Sequence, residues 1–242
     1  MWNPRGLQYK MNEYFPLLPH GKLQNILPGI YTVQGSMRLF GLFRYSRSMT
    51  ILCDKKRIGL LNPVRVDEDT LEEIEKIGDI NYIFKIGQLH SVDIPFYMDR
   101  FSPELWINPS DPFLSKYPDA LSFEDEKKIP LLAGKVKVIT DSNIAESVIF
   151  TPEHGGCLHS CDAFVNMGVD PYHNLLTAFL SRFLPKPTYI GPNWVKIAKP
   201  PEDSMRSCLN TPFENLIPAH GTPIIGGAME KLEKYIEKFY AK

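Results

Sequence analysis

The sequence predicts a layered α/β domain. Three observations predict it. Short β-rich segments follow one another closely between residues 29 and 61. A strand–helix–strand order then runs from residue 82 to residue 108. Two later stretches, 172–183 and 229–239, carry apolar residues at helical spacing. Strands that alternate with amphipathic helices bury their apolar faces by stacking in layers.

The chain has 242 residues, 43% of them apolar and 23% charged, enough for one large domain with a sizeable core. We expect a single domain over 1–242, with residues 1–27 as an irregular arm. That arm lacks periodicity and carries Pro4, Pro16 and Pro19, with Pro28 just beyond it. A formal net charge of -1 gives no electrostatic reason to expect nucleic acid or a membrane as partner. The N-terminus does not read as a signal peptide, and no apolar run is long enough to span a bilayer. Cys53, Cys157, Cys161 and Cys208 form no Cys-x-x-Cys motif. They do not look like a disulfide framework in a chain of this size, so a cytoplasmic location is expected.

The elements follow in order. Strands are expected at 29–35, 37–43, 49–54 and 57–61, the last two joined by a polar turn at 54–57. Asp67 or Asp69 caps a helix through Leu71, Ile74 and Ile77, closed by Gly78. A buried strand at 82–86 leads to a loop, a short helix at 95–101 with Pro95 in its first turn, and a strand at 105–108. Residues 109–127 read as a proline-rich surface loop with at most one helical turn. Strands resume at 135–140, 146–150 and 157–161, with a hairpin turn at 153–156. Asp170-Pro171 starts an amphipathic helix whose shared face is Tyr172, Leu175, Leu176, Phe179, Leu180 and Phe183. After a second proline-rich stretch, 185–213, with a helix near 204–209, a short strand at 215–218 runs into His220-Gly221. A final helix turns Met229, Leu232, Tyr235, Ile236 and Phe239 inward.

The chemistry-bearing residues sit at strand ends. The 82–86 strand ends at Gly87, and His90, Asp93 and Tyr97 follow within ten residues. A strand that delivers His and Asp from its terminal loop is a common way to build a metal or acid–base site. Asp162 follows the 157–161 strand, and His220 follows the 215–218 strand. The tempting set Cys157, His159 and Cys161 is not one site: its outer members, alternating along a strand, lie about 13 Å apart. They read as packing residues that form no disulfide.

This order, with Pro218-Ala219-His220-Gly221 and Gly155-Gly156-Cys157 through Cys161-Asp162, resembles the metallo-β-lactamase fold over residues 29–240. The resemblance implies a four-layer αββα sandwich with metals at one edge between two facing sheets. It departs from the family's His-x-His-x-Asp-His motif, since His90-Ser91-Val92-Asp93 supplies one His and one Asp, with Ile94 where a His would follow. Asn143 stands where the family carries its middle histidine, so the chain looks like a divergent branch with fewer ligands.

The resemblance implies a metal set of His90, Asp93, Asp162 and His220 around one divalent ion, zinc or iron, in place of two. Asp93 or Asp162 would be the catalytic base. Tyr97 would donate a hydrogen bond to Asp93 or to substrate, and His173 would reach the site edge. Loops 109–130 and 185–213 would form the walls. The expected function is metal-dependent hydrolysis of an ester, amide or phosphoester-like bond in a small molecule. Two rivals stay open: a non-catalytic binding or scaffold descendant, and a non-haem iron redox protein.

Overall fold

A computed structural model describes residues 14–39, 42–168, 170–183 and 187–241. Within them the chain folds as two facing sheets with helices outside each. The first sheet holds seven strands in sequence order: β1 (Gln24–Leu27), β2 (Ile30–Leu39), β3 (Phe43–Asp54), β4 (Arg57–Leu61), β5 (Asp79–Lys85), β6 (Glu104–Ile107) and β7 (Leu121–Ser122). It is antiparallel through β4 and parallel from β4 onward. Parallel neighbours need crossovers, and helices α1 (Glu68–Ile77) and α2 (Ile94–Phe101) supply the first two. Asp67 caps α1 by accepting the Thr70 N–H at 2.9 Å.

The remaining strands are β8 (Lys135–Ile139), β9 (Glu146–Thr151), β10 (Cys157–Ser160), β11 (Phe164–Met167), β12 (Thr188–Ile190) and β13 (Asn215–Pro218). The second sheet has the order β13-β10-β9-β8, and β11 and β12 form a separate ribbon. Helices α3 (Leu175–Ser181), α4 (Pro192–Ala198), α5 (Glu202–Ser207) and α6 (Ala228–Tyr240) follow in the C-terminal part of the described residues.

Three apolar layers make the sandwich. Phe84, Leu61, Trp106, Ile149, Cys157 and Ile217 pack between the sheets. Leu71, Ile74, Ile94 and Phe96 cover the outer face of the first sheet. Trp194, Met205, Leu232 and Ile236 cover that of the second. The central strands are covered on both faces, which is why β10 is buried along its length and β3 through its middle residues, 46–52. The expected four-layer αββα arrangement is the observed one. Among the described residues, no helix is long and apolar enough to cross a membrane.

Four sequence expectations are corrected. No separate strand spans 37–43: β2 runs on to Leu39 and pairs with β3 from Leu39↔Phe43 upward. Gly35 lies inside the strand, and a side chain does not fit there: a Cβ would meet Val64 Cγ1 at 2.4 Å. β1 lies inside the supposed arm, and residues 1–13 lie outside the described residues. The helix expected from Asp170 begins at Leu175 with Asn174 as its cap, and its apolar face is exposed. The 185–213 stretch is not a wall of loops where described: α4 and α5 send Trp194, Met205 and Cys208 into the core.

Candidate metal centre

The ends of β5, β10 and β13 open at one edge between the sheets. β10 and β13 run parallel, so Asp162 and His220 leave the sheet on the same side. The exit of β13 is stitched across to β3: Ser48 N–H donates to Ala219 O at 2.7 Å. The loop after β5 is tied to β9 by Ser147 N–H to Ile86 O at 2.7 Å and Gln88 N–H to Ala145 O at 3.0 Å. Gly87 must be glycine there, because a Cβ would lie 2.4 Å from Cys161 Sγ. Gly221, at φ +86°, brings its backbone against Asn166 O, which a Cβ would strike at 1.8 Å.

Three of the four expected ligands meet. The Nε2 atoms of His90 and His220 are 3.0 Å apart. Asp162 places Oδ1 at 3.2 Å from His220 Nε2 and Oδ2 at 3.6 Å from His90 Nε2. His220 Nδ1 lies 2.9 Å from Ser46 O, an acceptor only, so Nδ1 carries the proton and Nε2 faces the cluster. His90 Nδ1 is buried without a partner.

The electrostatics follow from burial and proximity. Burial holds the His90 imidazole down at about 3, against the pull of Asp162. Burial also opposes a proton on His220, but the hydrogen bond and charge of Asp162 outweigh it and raise the group. Burial alone would raise Asp162, yet the two imidazoles draw it down to about 2.

Asp93 is not in this cluster. Its Oδ2 accepts from Arg47 Nη2 and, at 2.8 Å, from the Arg65 N–H. The pair is buried, and a carboxylate matched to a guanidinium in a dry site is poorly placed to serve as a ligand or base. Tyr97 is also corrected: it is fully buried and its hydroxyl donates to Val64 O at 2.6 Å, out of reach of substrate. His173 stands one layer back. Its Nε2 is 3.1 Å from Asp170 Oδ2, and that oxygen accepts from both the N–H and the hydroxyl of Ser46 at 2.8 Å. Asp170 therefore steadies the residue whose carbonyl orients His220. Asn143 is turned away, its amide donating to Ile197 O at 3.2 Å. His159 is a core histidine bonded to Thr151 Oγ1 at 3.0 Å, and all four cysteines are free.

Sequence reasoning missed three contributors. Cys161 places Sγ at 3.7 Å from Asp162 Oδ2 and forms a compact donor group with His90 and Asp162. Its position directly before Asp162 was the available signal. Burial, with Asp162 and Glu146 beside it, pushes this thiol up. Glu146, fully buried, accepts the Asp162 and Ala163 N–H groups at 2.7 and 2.8 Å. Lys85, also buried, donates to Asp111, Gly87 O and Gln88 O, and so pins the start of the His90 loop. Asp111 belongs to one of the two expected wall loops, and this residue of it is tied inward.

The donors fit a divalent ion. Tetrahedral coordination at about 2.0–2.2 Å spaces nitrogen and oxygen donors roughly 3.3 Å apart, against 3.0, 3.2 and 3.6 Å observed. The orphaned His90 and the fixed tautomer of His220 suit the same role. Two imidazoles and a carboxylate form the core set, with Cys161 as a softer donor when deprotonated.

Two facing mixed sheets, outer helices and an edge site between them define the metallo-β-lactamase fold, and the chain has that fold. It is similar over 92% of its length, and 99% of the other chain, to the DIM-1 metallo-β-lactamase, with 14% identity and a TM-score of 0.64. It is similar over 94% of its length to FIM-1 from Pseudomonas aeruginosa in its mono-zinc form, covering 99% of that chain, with 10% identity and a TM-score of 0.63. A flavo di-iron protein from Thermotoga maritima matches over 90% of this chain and 62% of its own, at 14% identity and a TM-score of 0.63. No family model and no curated protein matches the sequence.

Proposed function

We propose that the protein is a hydrolase that uses one divalent ion, zinc or iron, held by His90, Asp162 and His220. Its substrate class is a small molecule with an ester, amide or phosphoester-like bond. The observation that carries this reading is the convergence of those three side chains from strand ends far apart in sequence. The fold neighbours named for mono-zinc and di-iron forms support metal chemistry at this edge.

A divalent ion supplies Lewis acidity and lowers the pKa of water to about 7. The chain's own residues do the rest. Ser46 fixes the ring of His220, and Glu146 fixes the turn that presents Asp162. Asp162 has two oxygens facing the cluster, so one remains to orient water or take its proton. Asp93 acts at one remove, by holding Arg47 beside the two imidazoles. The engagement of Asn143 and Asp93 elsewhere supports one ion in place of two. A cytoplasmic location and the absence of nucleic acid as a partner belong to the same reading, supported by four free cysteines and a net charge of -1.

Elemental analysis of protein purified without chelator tests it. Close to one zinc or iron per chain is expected, lost in Asp162→Ala and His220→Ala with little change in melting temperature. Metal-dependent turnover of chromogenic esters, phosphodiesters or amides completes the test. The reduced donor set favours a second reading, a non-catalytic binding descendant, and protein with no metal and no turnover would establish it. Iron with no hydrolysis would favour redox chemistry.

A further inference from the structure

α3 presents an apolar face to solvent. Leu175 is 92% exposed, Phe183 74% and Phe179 54%, and Leu176 and Leu180 lie between them. Leu42, at the end of the β2–β3 hairpin, is 64% exposed and adjoins the same surface, since Asn174 Nδ2 donates to its carbonyl at 2.6 Å. Residues 175, 176, 179 and 180 form one helical stripe, and Phe183, just past the helix end, extends it by packing on Phe179. Six large apolar side chains grouped this way mark an interaction surface.

The charges beside the stripe say what covers it. Arg38 and Arg44 are directly opposed across β2 and β3, an arrangement that costs stability for like charges. Arg44 is also held against α3, its N–H donating to Thr177 Oγ1 at 3.1 Å. Arg182 closes the helix and is exposed. None of the three has an ion-pair partner among the described residues, and the nearby Asp170 is committed to Ser46 and His173. A second copy of this chain would set arginines against arginines. A peptide would need a groove, whereas side chains as exposed as Leu175 and Phe183 project outward.

We propose that α3 and the β2–β3 hairpin dock on an anionic membrane surface, with Leu175, Phe179, Phe183 and Leu42 entering the headgroup–acyl boundary. Arg38, Arg44 and Arg182 meet the lipid phosphates. This local distribution revises the expectation drawn from the near-zero net charge. It is independent of the metal-site reading, although the docked helix is continuous with the Asp170–Ser46–His220 chain.

The test is vesicle flotation of the full chain with phosphatidylcholine alone and with phosphatidylglycerol added. Binding to the anionic vesicles is expected, weakened by salt, and at least several-fold weaker to the neutral ones. Arg38→Gln with Arg44→Gln should lower anionic binding on the order of tenfold. Leu175→Ser with Phe179→Ser and Phe183→Ser should abolish it while leaving the melting temperature and metal content unchanged, since these side chains are exposed. No vesicle binding by the wild-type chain would overturn the proposal. So would equal binding to neutral and anionic vesicles. A concentration-dependent dimer that the serine variant loses, without vesicle binding, would overturn it in favour of self-association.

Discussion

Glu146 grips Asp162 from behind: one carboxylate oxygen accepts the backbone N–H of Asp162 at 2.7 Å and that of Ala163 at 2.8 Å. Glu146 opens β9, and its two chain neighbours, Ala145 and Ser147, bond the backbone at the start of the His90 loop. The side chain at 146 and the backbone on either side of it thus tie two of the three convergent residues to one strand start.

Replacing Glu146 therefore separates position from identity. Glu146→Ala strands two buried N–H groups and should cost about 3 kcal/mol. Glu146→Gln keeps an acceptor and should cost roughly 1 kcal/mol. Urea titration reads both. Zinc affinity, measured against a competing chelator, should fall in the alanine variant and largely recover in the glutamine one. Unchanged affinity in Glu146→Ala would remove its positioning role.

Much of the site was legible because its residues follow apolar runs. β10 and β13 are buried along their length, so Asp162 and His220 stood out as polar residues at sudden ends. Asp93 was misread because its partner lies 46 positions away in β3. Arg47 in the middle of a strand carries no local signal that it will be buried opposite a carboxylate. α3 was misread for a different reason. Periodicity shows that a helix has an apolar face, but not which side of the molecule that face meets.

The Arg47–Asp93 pair gives a second prediction, which separates Asp93 from the ligands. Both side chains are almost fully buried, so removing one leaves the other uncompensated. Arg47→Ala should cost about 3–5 kcal/mol. Asp93→Asn, which keeps an acceptor for the Arg65 N–H, should retain bound metal, whereas Asp162→Asn should lose it. Elemental analysis of the two asparagine variants side by side decides the matter. Loss of metal from Asp93→Asn alone would return Asp93 to the ligand set.

The last prediction concerns acid stability and uses a group outside the proposed donor set. His159 is fully buried in β10, and burial lowers its pKa from the usual 6.5 to about 3. The folded chain keeps this imidazole neutral, while the unfolded chain protonates it below 6.5. Unfolding then takes up a proton, so stability falls as the pH drops from 6.5 towards 3, with a slope approaching 1.4 kcal/mol per pH unit, order of magnitude. His90 shifts in the same direction and adds to the effect in the wild type. His159→Gln can still bond Thr151 but cannot titrate. Chemical denaturation of both proteins between about pH 7 and pH 4.5 should show the variant losing stability less steeply by roughly that slope. Parallel curves would mean that His159 is protonated in the folded state, with a neighbour that accepts its proton in the core.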